Sequence, residues 1–157
     1  MSDAKMTSGL QLRSLIGKSG DLELSLAKVD IAEPGPDQVV VKVEATPINP
    51  SDLGLLLGPA DMASFKASGS GDGVKVTAKV PAAALPFLSA RLGESMPVGN
   101  EGAGMVVKAG SSEAAQALKG KTVSMVGGSM YAQYRLLNAR DCQPLPAGTT
   151  AAEGASW

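Results

Sequence analysis

The stretch Gln38-Val-Val-Val-Lys-Val-Glu-Ala45, continued through Asn49-Pro-Ser-Asp52 and Leu53-Gly-Leu-Leu-Leu-Gly58, decides how the chain is read. In the first eight residues Val39, Val41 and Val43 share one face of an extended segment, and Gln38, Val40, Lys42 and Glu44 share the other. That two-residue period predicts a half-buried strand. Asn49 is an N-cap candidate, Pro50 falls at an early helical position where its missing N–H is harmless, and Gly58 closes the apolar run. A strand followed by a short helix ending at Gly58 is expected.

Toward the N-terminus, Leu10 to Ile16 and Leu22 to Val29 have alternating or β-branched character and read as strands. Gly17-Lys-Ser-Gly20 and Glu33-Pro-Gly-Pro-Asp37 separate them as turns. Toward the C-terminus the composition changes from Pro59 to Ser95, with Ser68-Gly-Ser-Gly-Asp-Gly73 as a flexible loop. Inside that stretch Val74 to Val80 reads as a strand and Ala82 to Leu92 as a helical segment interrupted by Pro86. Beyond Pro97, strands are expected at Met105–Val107, Thr122–Val126 and Tyr131–Leu137, a helical turn at Ser112–Leu118, and the start of a helix over Ala151–Trp157. Long helices do not alternate with parallel strands, so a Rossmann sheet is not expected in this chain. The fold class is mostly β with short helices.

Composition narrows the function classes. A chain of 157 residues with 44% hydrophobic and 18% charged residues fits one soluble domain with its own core. The net charge of −1, with Lys and Arg scattered, leaves no footprint for a phosphate backbone, so no nucleic-acid partner is expected. Apolar runs such as Ala82 to Leu88 fall far short of the ~20 residues that span a bilayer, and Met1 to Ile16 lacks an apolar signal core. No membrane partner and a cytoplasmic location follow. The absence of histidine removes Ser-His, Cys-His and His-metal mechanisms together. Cys142 alone supplies neither an internal disulfide nor a tetrahedral zinc shell; with no imidazole partner it reads as a packed thiol. Gly120-Lys-Thr122 and Gly99-Asn-Glu-Gly-Ala-Gly104 lack the spacing of phosphate loops and read as tight turns.

The run Pro47-Ile-Asn-Pro-Ser-Asp52, then Pro97-Val-Gly-Asn-Glu-Gly-Ala-Gly-Met-Val106, Gly110, Gly120-Lys-Thr-Val123 and Tyr131-Ala-Gln-Tyr134, resembles the motif order of the medium-chain dehydrogenases. Glu33 to Val43 resembles that family's second hairpin, and Pro144-Leu-Pro146 the exit from its barrel. The resemblance covers most of residues 10–157 except an insert at 59–95. It implies a GroES-like irregular β-barrel, the catalytic domain over 1–157, whose relatives continue into a Rossmann nucleotide-binding domain absent from this chain.

At the position of the family's zinc-binding Cys this chain has Asn49, and at that of its zinc-binding His it has Asn100. Neutral amides bind zinc far more weakly than thiolate or imidazole, so the resemblance implies the zinc-free quinone-oxidoreductase branch: NADPH as cofactor, no metal, and hydride transfer to a quinone, an enone or a similar conjugated carbonyl. It implies that Asn49 and Pro50 border the cofactor, that Ser51 stands in place of a proton-relay hydroxyl, and that Leu53, Leu57 and Asn100 line the substrate cleft. Asn49 and Ser51 equally suit a turn and a helix cap, and one residue can do both. Asp52, Glu101, Gly99, Gly102 and Gly104 read as structural, and Tyr131 and Tyr134 as packing residues. Gly54 stands where many quinone reductases have a Tyr. A homodimer is compatible with the resemblance, and the chain alone is expected to be inactive. A non-enzymatic GroES-like binding or scaffold module is the alternative, since the barrel is shared with co-chaperonins.

Overall fold

The computed structural model describes residues 7 to 156. Its strands are β1 (Thr7–Ile16), β2 (Asp21–Ile31), β3 (Gln38–Ala45), β4 (Asp61–Ser68), β5 (Lys75–Lys79), β6 (Ser95–Pro97), β7 (Glu101–Ala109), β8 (Thr122–Val126), β9 (Tyr134–Asn138) and β10 (Cys142–Pro144). The helices are α1 (Pro50–Leu57), α2 (Glu113–Leu118) and α3 (Ala151–Gly154), with 3-10 turns at Gly71–Gly73, Ala82–Leu88 and Ala139–Asp141. The mostly β class with short helices is what the sequence indicated. The strands gather in two five-stranded antiparallel sheets, β4-β5-β2-β1-β6 and β10-β8-β7-β3-β9, without closing one hydrogen-bonded barrel. The chain divides into two compact units: one holds the residues up to Gln11, Lys28–Pro47 and everything from Gly99, the other Leu12–Ala27 and Ile48–Val98.

In the first unit β3 runs between β7 and β9, and that central place corrects the half-buried reading of its sequence. Val40, on the face counted as polar, is as fully buried as Val39 and Val41. Val39 and Val41 join Val106, Val123, Met125, Met130 and Leu137, with Ala115 and Leu118 of α2, in one core. Burying a side chain of this size contributes about 1.5–3 kcal/mol relative to leaving it exposed. Strand β7 is longer than the predicted Met105–Val107 because Gly102 and Gly104 lie inside it rather than in a turn. A Cβ on Gly104 would run into the Lys42 carbonyl of β3, and one on Gly102 would stand 3.2 Å from the Ala45 carbonyl oxygen. The glycines permit close approach of two backbones. Gly120 does form the expected turn, with φ +76°. Strand β9 starts at Tyr134, later than the expected Tyr131. The residues before it are diverted when Gln133 donates its N–H to Leu10 and accepts from Val43, both at 2.9 Å.

The second unit contains the stretch 59–95. Strand β5, close to its predicted bounds, pairs with β2 from Asp21↔Lys79 to Ser25↔Lys75, and β4 extends the sheet beyond it. Strand β4 lies in a stretch where no strand is expected from the sequence. The helix expected over Ala82–Leu92 is instead a 3-10 segment with Pro86 inside it; proline lacks the N–H that an α-helix needs there. Ala84, Leu85, Leu88, Leu92 and Phe65 pack, half-buried, onto Ile16, Leu22, Ala78 and Val80.

Candidate functional site

Helix α1 carries most of the residues singled out above. A residue before proline is pushed toward extended backbone, and Asn49, with φ −88° and ψ 156°, adopts the conformation an N-cap requires. Its N–H donates to Oδ2 of Asp52 at 3.0 Å, the reciprocal half of a capping box with Asp in the place usually taken by Glu. The Asp52 side chain is fully buried, and the positive end of the helix favours its charge. Around this anchored turn Pro50 and Ser51 are exposed and Asn49 is half-buried. Ile48, just before the cap, and Leu53, within the helix, are apolar yet 72% and 42% exposed. Leu57, half-buried, lies at the other end of the helix before Gly58 with φ +56°.

Asn100 belongs to the other unit. It precedes β7 at a bend where its carbonyl accepts the N–H groups of Gly127 and Gly128 at 3.2 and 3.4 Å, and its side chain is exposed. Glu101 follows it, half-buried, on the wall of a cavity of about 180 Å³ that Ser124, Asp141 and Gln143 also line. Asn49, Pro50, Ser51, Leu53 and Leu57 are thus brought onto one helix, and Asn100 stands on a separate turn. Tyr131 has a role that its spacing concealed. Its hydroxyl donates to the Pro47 carbonyl at 3.1 Å, and its ring packs so closely on Gly99 that a Cβ there would stand 2.7 Å from Cδ1. Gly99 also has φ +99°, so glycine is required at this position twice over.

The sequence profile of the alcohol dehydrogenase GroES-like domain matches residues 35–147. The chain belongs to this family. Among solved structures it is similar to a Mesorhizobium loti protein named as an NADPH:quinone reductase, at 25% identity and TM-score 0.58, covering 95% of this chain and 40% of that one. A Bacillus thuringiensis protein of the same description matches at 22% identity and TM-score 0.60, covering 96% and 37%. The Etr1p complex with NADP and crotonyl-CoA matches at 23% identity and TM-score 0.63, covering 96% and 40%. The chain therefore spans about two fifths of the length of these structures. No curated protein matches it.

Two further observations describe the chemistry this GroES-like domain offers. Cys142 is buried in the first unit's core, and burial first, then the Asp141 charge, pushes its thiol up to about 11. That thiol is a packing group rather than a nucleophile. Among the described residues no three His, Cys, Asp or Glu side chains gather into a metal-holding group, and no helix is long and apolar enough to cross a membrane.

Proposed function

We propose that this GroES-like domain is the catalytic portion of a zinc-independent, NADPH-dependent oxidoreductase that reduces quinones, enones or similar conjugated carbonyl compounds by hydride transfer. The observation that carries the proposal is the N-terminal turn of α1. An exposed hydroxyl and a half-buried amide are carried there, with the exposed apolar residues Ile48 and Leu53 close by in the sequence, on a backbone anchored by the buried Asp52. The family membership and the likeness to the Mesorhizobium loti protein support it.

A zinc ion does not suit the donors at the two positions where the resemblance places ligands. Asn49 and Asn100 offer only neutral amide oxygens, and the chain has no histidine. The resemblance would have Asn49 and Pro50 hold the nicotinamide end of NADPH, which would supply a hydride when bound. The chain's own residues then do the remaining work. Leu53 and Leu57 exclude water from the acceptor, on whose oxygen negative charge develops. The Ser51 hydroxyl passes a proton to that oxygen and regains one from solvent, so the acceptor gains a hydride and a proton in balance. The rest of the cofactor falls to a nucleotide-binding domain, and these residues alone turn nothing over.

Titration with NADPH tests this. The 157-residue chain is expected to bind it with Kd above about 1 mM, and micromolar binding by these residues alone counts against the reading. Joined to a nucleotide-binding domain, the chain is expected to oxidise NADPH in the presence of an enone or a quinone without added zinc. Ser51→Ala should lower kcat by about 10²-fold or more. Unchanged turnover would remove Ser51 from the chemistry.

A further inference from the structure

At the C-terminal end of α1 the Gly58 N–H caps the Gly54 carbonyl and the Ala60 N–H the Leu57 carbonyl, which leaves the Leu55 and Leu56 carbonyls to partners from outside the helix. The last four carbonyls of a helix have no partner within it, this helix has no basic residue in its last turn, and at eight residues it is too short to be stable alone. The missing partners arrive from elsewhere in the second unit. Nη2 of Arg91 donates to the Leu55 carbonyl and, at 2.7 Å, to Oγ of Ser14. Ser14, fully buried on β1, donates its hydroxyl to the Leu56 carbonyl at 2.7 Å.

The segment that brings Arg91 in is itself tied to β1. Leu92 bridges Ile16, and the Gly93 N–H donates to the Ile16 carbonyl at 2.8 Å. Burial lowers the guanidinium's affinity for its proton, and its Nε is buried without a hydrogen-bond partner. A cation held at that cost must recover it through the Leu55 and Ser14 contacts.

We infer that Arg91 is a positioning residue: through Ser14 and the Leu55 and Leu56 carbonyls it clamps the C-terminal end of α1 and thereby holds the Asn49–Ser51 turn at the other end. The inference rests on the reading of that turn as the reactive one. Helix α1 is then fixed at both ends, by Asp52 on the Asn49 N–H and by Arg91 on the last carbonyls, and residues 59–95 supply one of the two anchors.

Amide hydrogen exchange of the 157-residue chain, followed by NMR, tests the coupling at three reporters. Gly58, whose N–H donates to Gly54, reports the clamped end. Asn49, whose N–H donates to Asp52, reports the far end, which Arg91 does not touch. Val43, bonded to Gln133 in the other unit, is the control. Arg91→Ala should accelerate exchange at Gly58 and at Asn49 by about tenfold or more while leaving Val43 unchanged. Ser14→Ala, a milder change, should move the same two reporters less. Arg91→Lys, which keeps the charge but loses the fork, should restore part of the protection at both.

Acceleration at Gly58 with Asn49 unchanged in both alanine variants would reduce Arg91 to a local cap and overturn the inference. So would equal acceleration at all three reporters in Ser14→Ala, which would mean general loosening. The reading of the site fails by a different observable, the turnover of the Ser51→Ala variant, so the two failures are told apart.

Discussion

The two units reach order by different means. Among the described residues the unit built on β3, β7 and β8 gathers eleven buried residues in its core, whereas the unit containing α1 and β5 has four, surrounded by seven that are only half-buried. The first is held by close packing of strands, with backbones so near that glycine is required at Gly104. In the second a fully buried hydroxyl and a half-buried guanidinium tie the end of a short helix that apolar contact alone leaves unsupported. In the unit that carries the Asn49–Ser51 turn, polar anchors therefore take the place of dense packing.

The largest effect is expected where packing is tightest. Gly104→Ala should cost about 4 kcal/mol, because its methyl group meets the Lys42 carbonyl, part of a backbone that cannot yield without breaking the β3–β7 pairing. Denaturant unfolding with an unchanged slope measures it, and a cost near zero would show that β7 can move away from β3. Met130→Ala, in the same core, should cost about 3 kcal/mol. Leu85→Ala, half-buried in the other unit, should cost about 1 kcal/mol and speed amide exchange at Ala84 and Val80 without affecting Val43. Equal costs for these two truncations would erase the contrast between the units.

The smallest effect concerns pH. The Cys142 thiol rises from 9.0 to about 11 in the folded chain, so the folded state holds the proton more tightly than the unfolded one. Its contribution is complete below pH 9 and is lost as pH rises toward 11. At pH 9.5 the loss should be below about 1 kcal/mol. It is read as the difference in alkaline stability between the parent chain and Cys142→Ala, and identical alkaline profiles would mean the thiol is not desolvated.

Part of each unit could be read in advance. Strands β3 and β8 of the first unit and helix α1 with its Asn49 cap in the second follow from periods and caps that act within a few residues, and the motif order from Pro47 to Tyr134 pointed to the family that the profile match shows. Other features could not be read. Gly102 and Gly104 look like turn residues to a local rule, and only the neighbouring strand reveals that they are the points of closest approach. Val40 looks polar-facing until β3 is known to be central. Strand β4 alternates only over Ser64–Ser68 and lies at a sheet edge with most of its side chains exposed, so little burial marks it in the sequence. Tyr131 bonds a carbonyl 84 residues away, and Arg91 reaches 36 residues back to Leu55. No spacing rule encodes either contact.

The sequence by itself determined which donor groups stand at the positions that the family resemblance picks out. Donor type is a covalent property, so whatever the fold Asn49 and Asn100 present neutral amides, and the chain has no histidine to offer. The tertiary structure alone decided how the turn bearing Asn49 and Ser51 is held. The Leu55 and Leu56 carbonyls near the end of α1 are satisfied by groups that folding brings to them, and those groups, Arg91 and Ser14, lie on either side of the helix in the chain, dozens of residues away.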